Sequence, residues 1–134
     1  MMVVDGSVIV AIAKDEPDAR ALFELLEASP SNLMSAGNLQ ETFIVLIGLG
    51  VKEVETRVQR ILDECAIVIV PVDEALARLA ADAFSRFGKG RHPAKLNFGD
   101  CFAYALARAR GLPLLFKGGD FSQTDIPDAR IALA

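Results

Sequence analysis

Apolar and polar positions recur along this chain with two different periods, and each change of period marks an element. Met2 to Val4 is a short apolar run ending at Asp5, and Gly6-Ser7 turns it into an apolar helix through Ala13. Asp15, Glu16 and Pro17 open a second helix, with Ala19, Leu22, Phe23, Leu25 and Leu26 on its inner side. After the S-P-S-N loop around Pro30, a brief strand at Leu33 and Met34 leads to Ser35. A helix from about Gly37 to Leu49 follows, with Glu41 in its second turn. Glu53 to Glu64 reads as helix and Ala66 to Val70 as a β-branched strand closed by Pro71. Asp73 caps a helix reaching Phe87, where Gly88 stops it. Asn97 caps the next, whose residues Phe98, Cys101, Phe102, Ala105, Leu106 and Ala109 predict one buried face before the Gly111 and Pro113 stop. Leu114 to Phe116 is a buried strand, K-G-G-D-F a turn, and Arg130 to Leu133 an edge strand.

Short strands alternating with helices imply a parallel sheet of four to five strands covered on both faces, a three-layer α/β/α fold. At 134 residues, 1–134 forms one domain, long enough to bury about two-thirds of its unfolded surface. A hydrophobic content of 52% and a mean hydropathy of +0.36 are high for such a chain, so part of its apolar surface is expected to meet a partner. The helices holding Leu22, Phe23, Leu26, Phe43, Ile44 and Ile47 are the expected source, for a homodimer and for a partner helix. The longest apolar stretch, Phe43 to Val51, is half what a bilayer requires, and Asp5 interrupts the N-terminal run, so a soluble cytoplasmic protein is expected.

Net charge of −4 argues against indiscriminate nucleic-acid binding, yet leaves room for a local basic strip. Cys65 and Cys101 lie far apart and only one histidine is present, which disfavours zinc and a disulfide framework. The acids are more informative. Sites in parallel sheets lie at the carboxyl ends of the strands, where Asp5, Glu41 and Asp120 fall, and Asp100 heads the helix before the fourth strand. Two carboxylates about 5 Å apart repel by roughly 3 kcal/mol at an effective dielectric near 20, so converging acids call for protons or a cation. Oxygen-only ligands favour Mg²⁺ or Mn²⁺, and magnesium held this way keeps waters and binds phosphate oxygens. Lys89, Arg91, His92 and Lys95 precede Asp100, and Lys117 precedes Asp120, so cationic groups able to hold a polyanion flank the acids.

V-V-D-G-S at 3–7, L-Q-E-T-F-I-V-L at 39–46, K-G-R-H-P-A-K-L-N-F-G-D-C-F-A-Y-A-L-A at 89–107 and L-L-F-K-G-G-D-F-S-Q-T-D-I at 114–126 together resemble the PIN-domain proteins. More narrowly they resemble the VapC toxins of type II toxin–antitoxin systems. The resemblance implies a PIN-like fold and a Mg²⁺- or Mn²⁺-dependent ribonuclease that hydrolyses RNA by metal-activated water, leaving 5′-phosphate and 3′-hydroxyl ends. It also implies inhibition by a VapB-type antitoxin. Asp5, Glu41, Asp100 and Asp120 would be the acidic quartet, with the metal on Asp5 and Asp100, Ser7 in support, and Lys89, Arg91, Lys95 and Lys117 on the RNA.

Two positions depart from the family pattern. Gly6 replaces the usual threonine or serine, and Gly118 stands where many PIN domains carry the fourth acid, leaving that role to Asp120 with Asp125 as substitute. Tyr104, one turn after Asp100, reads as helix packing or as groove lining. A PIN-type module that binds RNA or a partner without cutting is the alternative. A phosphoacceptor receiver domain fits less well, because Asp5 lacks an acidic neighbour and the third strand ends in Pro71-Val72.

Overall fold

The computed structural model describes residues 1–133. Strands β1 (Val3–Val4), β2 (Asn32–Ser35), β3 (Ile67–Val70) and β4 (Leu114–Leu115) form one parallel sheet in the order β3-β2-β1-β4. Val3 is registered with Leu33 on one side and Leu114 on the other, and Leu33 with Val68. Parallel pairing brings all four carboxyl ends to one edge of the sheet, and this edge carries the acids.

The pleat sorts the core into two layers. Val3, Leu33, Leu114 and Phe116 pack on the side of α5 (Glu74–Phe87) and α6 (Phe98–Arg110). Met2, Val4, Met34 and Leu115 pack on the other side. There they meet α1 (Gly6–Ala13), α2 (Ala19–Glu27), α3 (Ala36–Gly48) and α4 (Val54–Glu64). Asn32 is buried where β2 begins, and its amide donates to the Leu26 and Cys65 carbonyls at 3.1 and 2.9 Å, tying the ends of α2 and α4 to the sheet. The α/β/α expectation therefore holds, with four strands.

Four local expectations change. Residues 130–133 do not form an edge strand: Ala129–Ala132 is a short helix, α7, whose start is capped by Asp128 accepting from Arg130 N–H at 2.9 Å. Edge pairing is made just upstream, where Leu114 N–H donates to the Pro127 carbonyl at 2.9 Å. Pro17 does not open α2, because Asp15 takes a left-handed turn at φ 53° and the helix starts only at Ala19. Of the apolar face expected to be free, Leu22 and Leu26 are core and Phe23 and Phe43 pack against it, whereas Ile44 and Ile47 are 60% and 65% exposed. Phe98 joins that surface at 80% exposure, with Phe102 packed edge-on to it at 5.0 Å. Of the face expected for α6, Cys101, Ala105 and Leu106 are buried while Phe98 and Ala109 are exposed, and Gly99, Ala103, Tyr104 and Ala107 complete the inward side. No helix among the described residues is long and apolar enough to cross a membrane.

Candidate active site

Asp5 leaves β1 in extended conformation and caps α1, its Oδ2 accepting the Ser7 N–H at 3.0 Å. The residue is 5% exposed, and its Oδ1 is buried without a hydrogen-bond partner. Burial raises the Asp5 carboxyl above the usual carboxylate range, opposed by the Ser7 and Gly6 hydrogen bonds and reinforced by the charge of Asp120. An orphaned carboxylate oxygen costs its full desolvation, and a cation relieves that cost as no neutral neighbour does.

Glu41 projects from the second turn of α3 toward two glycines. A Cβ on Gly99 would lie 1.7 Å from Glu41 Oε2, and one on Gly6 would lie 3.3 Å from Oε1. The carboxylate thus occupies the space that side chains at 6 and 99 would fill. Asn38, one turn earlier on α3, donates from Nδ2 to Glu41 Oε1 at 3.3 Å and to the Gly99 carbonyl at 2.9 Å. Burial and the neighbouring Asp5 raise the Glu41 carboxyl, and the Asn38 amide opposes them.

Asp100 completes a capping box with Asn97. Its Oδ2 accepts the Asn97 N–H at 3.0 Å, and Asn97 Oδ1 accepts the Asp100 N–H at 2.8 Å. Burial pushes its carboxyl up to about 7 against the Asn97 hydrogen bond, helped by the charges of Asp5, Asp120 and Glu41. Asp120, exposed in the turn after β4, bears electrostatically on both Asp5 and Asp100. Asp5, Glu41 and Asp100 line one open cleft of about 360 Å³ with Ser7, Asn97 and Lys117. Among the described residues no three acidic, histidine or cysteine side chains close into a ready-made ligand cage. The oxygen-only donors, the space between them and the orphaned Asp5 Oδ1 suit a small hard cation that keeps part of its water.

The other sequence-selected residues divide clearly. The Ser7 hydroxyl accepts the Lys117 N–H at 3.0 Å, bracing the β4 end against α1. Lys117 lines the cleft with its ammonium held by Glu16 at 3.3 Å and Asp18 at 3.1 Å. Lys89, Arg91 and Lys95 are exposed on the loop before α6 and do not line the cleft. His92 is packed edge-on to Phe87 at 5.0 Å, with Nδ1 accepting the Ala94 N–H. Tyr104 is a core residue whose hydroxyl donates to Asp125 at 2.5 Å. Asp125 is also paired with Arg86 and Arg108 at 3.4 and 3.6 Å, so it serves this cluster and does not substitute for Asp120 in the cleft. Sequence reasoning missed Glu16, Asn38 and Thr42. The signal for the last two was present, since the buried stripe of α3 reads Asn38, Thr42, Leu46, two polar residues where an ordinary stripe is apolar.

Comparison with known proteins agrees with this architecture. The PIN domain family matches residues 2–127. Ribonuclease VapC42 of Mycobacterium tuberculosis (strain ATCC 25618 / H37Rv) is 46% identical over 129 residues, covering 96% of this chain and 98% of its own. Ribonuclease VapC of Mycolicibacterium smegmatis is 43% identical over 125 residues, covering 93% and 97%. The crystal structure of M. tuberculosis VapC20, a sarcin-ricin loop cleaving toxin, shares the fold with a TM-score of 0.77 at 19% identity, covering 94% and 96% of the two chains. A toxin–antitoxin complex from Klebsiella pneumoniae shares it with a TM-score of 0.67 at 16% identity, covering 93% of each. With a family match across most of its length and relatives well above 40% identity, this chain belongs to the PIN-domain family and, within it, to the VapC ribonucleases.

Proposed function

We propose that the protein is the toxin of a type II toxin–antitoxin pair, acting in the cytoplasm as a Mg²⁺- or Mn²⁺-dependent ribonuclease. The observation that carries this reading is the convergence of Asp5, Glu41 and Asp100 from three separate segments on one cleft, with Asp120 acting on two of them by its charge and burial raising all three. Such an arrangement is costly to a protein that uses none of it and is relieved by a divalent cation.

Asp5 and Asp100 would hold the cation, the first offering its unpartnered Oδ1. When bound, the ion supplies the positive charge that makes water nucleophilic at neutral pH and offsets charge growing on the phosphate. Glu41, fixed by Asn38, and Asp120, close enough to act on Asp5 and Asp100, orient water. Lys117 reaches an RNA phosphate from the cleft wall, while Lys89, Arg91 and Lys95 track the backbone further out. Attack of water on phosphorus with departure of the 3′-oxygen, which takes up a proton, would leave 5′-phosphate and 3′-hydroxyl ends.

A VapB-type antitoxin is the protein partner. A second copy of the chain pairs through the apolar surface of Ile44, Ile47, Phe84 and Phe98, beside a hollow of about 640 Å³ between α5 and α6.

The test is cleavage of total RNA by antitoxin-free protein with Mg²⁺, Mn²⁺ or EDTA, beside Asp100→Asn. Metal-dependent cleavage lost in the variant supports the nuclease. Equal inertness of both proteins, with RNA or antitoxin still bound, would replace it with a binding module.

A further inference from the structure

We propose that Asn38 is a positioning residue that couples α3 to the first turn of α6 and thereby fixes where the Glu41 carboxylate stands. The inference deepens the ribonuclease reading and rests on it.

Asn38 is fully buried on the inward stripe of α3, where a leucine would satisfy packing alone. A carboxamide there costs desolvation unless its hydrogen bonds are made, and its two N–H groups are directed to specific partners. One donates to the Gly99 carbonyl at 2.9 Å, bridging 61 positions of sequence to the turn that presents Asp100. The other donates to Glu41 Oε1 at 3.3 Å. The Asn38 backbone carbonyl accepts the Thr42 hydroxyl at 2.7 Å, which braces the same turn of α3. Gly99 leaves open the space this arrangement needs, since any Cβ there would overlap the Glu41 carboxylate. One amide therefore holds two acid-bearing helices at a fixed distance and points one acid. Asn38 Oδ1 is buried without a hydrogen-bond partner, so the whole polar return on burying the side chain comes from these two N–H bonds.

The test is a double-mutant cycle between Asn38→Leu and Glu41→Gln, read as Mn²⁺ affinity by calorimetry and as kcat and KM for RNA cleavage, with thermal midpoints recorded. If Asn38 acts through Glu41, Asn38→Leu lowers kcat on the order of 100-fold, the cost of misplacing a reacting group by about an ångström, with KM little changed. It then adds nothing in the Glu41→Gln background. Additive losses, or a loss that follows the thermal midpoint alone, would overturn the proposal by assigning Asn38 a merely structural role. Asn38→Ser, which removes the reach to Glu41 without adding apolar bulk, carries the same cycle if the leucine variant fails to fold. Wild-type protein that binds Mn²⁺ but cuts no RNA refutes the nuclease, and Asn38 is then decided by affinity: the Glu41 charge beside the ion makes Asn38→Leu shift Mn²⁺ affinity in the wild-type background and not in Glu41→Gln, whereas equal shifts in both overturn the proposal. Wild-type protein that does neither refutes both.

Discussion

Gly99→Ala separates the fold of this protein from its chemistry. In the first turn of a helix, alanine is favoured over glycine by roughly 0.5–1 kcal/mol, and Gly99 carries no left-handed dihedral that would forbid the change. The new methyl would nevertheless sit 1.7 Å from Glu41 Oε2 and 2.4 Å from its Cδ, where ordinary contact begins at 3.4 Å, so the carboxylate must retreat by roughly 1.7 Å. The obstacle is the far end of a flexible side chain, so the retreat costs little stability beyond the 3.3 Å hydrogen bond from Asn38. The variant should keep its thermal midpoint or gain about 2–4 °C, by the usual scaling for a domain of this size. Its kcat should fall on the order of 100-fold, because the displacement exceeds an ångström at a reacting group. Differential scanning fluorimetry and steady-state cleavage of a fluorescent RNA read the two effects separately. Wild-type turnover in Gly99→Ala would refute the reasoning, as would a loss of turnover only in step with a loss of stability. In Glu41→Ala, where the obstructing carboxylate is gone, adding Gly99→Ala should lower turnover no further.

Three further outcomes follow from the same geometry. The Asp100 carboxyl, at about 7 in the folded cation-free protein against an ordinary 3.8, favours the protonated folded state. Stability present below about pH 4 should therefore be lost as pH rises through 7, and Mg²⁺ should raise the thermal midpoint more at about pH 8 than at about pH 5, with Asp100→Asn flattening the trend. At Gly6, a Cβ would stand 2.8 Å from the Thr42 hydroxyl oxygen, which is fixed by its bond to the Asn38 carbonyl. Gly6→Ser should destabilise by about 1–3 kcal/mol in urea unfolding, and Thr42→Ala should recover part of that loss. Phe98→Asp should convert a dimer to a monomer in light scattering without lowering the thermal midpoint, because the ring is 80% exposed; an unchanged mass would assign this face no role in self-association.

The sheet was legible because its strands are short apolar runs ended by Asp5, Ser35, Pro71 and Lys117, and this grammar depends on nearest neighbours. The sequence misled where one local signal supports two structures or where a partner is distant. R-I-A-L at 130–133 fits a period of two as well as of 3.6, and the Asp128 side chain, by capping the turn, settles it as helix. On α6, Cys101, Ala105 and Leu106 are buried as their spacing suggests, but the buried side widens toward Gly99, Ala103 and Tyr104 and leaves Phe98 out, a rotation that the composition of the helix leaves open. Lys117 was legible as a cation beside the acids, but its partners Glu16 and Asp18 were not, because they lie about 100 positions away and come to it through the β1–β4 pairing.

The site divides along the same line. Asp5 and Asp100 were readable because a strand end and a helix start are places where a carboxylate finds N–H groups, and both acids are found accepting such bonds, from Ser7 and Asn97. What makes them more than caps is what the bonds leave over. A cap that fully satisfied its carboxylate would lower the proton affinity, yet Asp5 and Asp100 are both raised, because burial and the other acids outweigh the N–H groups. The same two residues thus hold the chain in place with one oxygen and retain an electrostatic demand that the protein's own groups do not meet. That demand arises only when β1, α3, the start of α6 and the turn after β4 are assembled. It is therefore a property of the fold, and Asn38 and Gly99, which govern how closely α3 and α6 bring their acids together, are where the sequence sets its size.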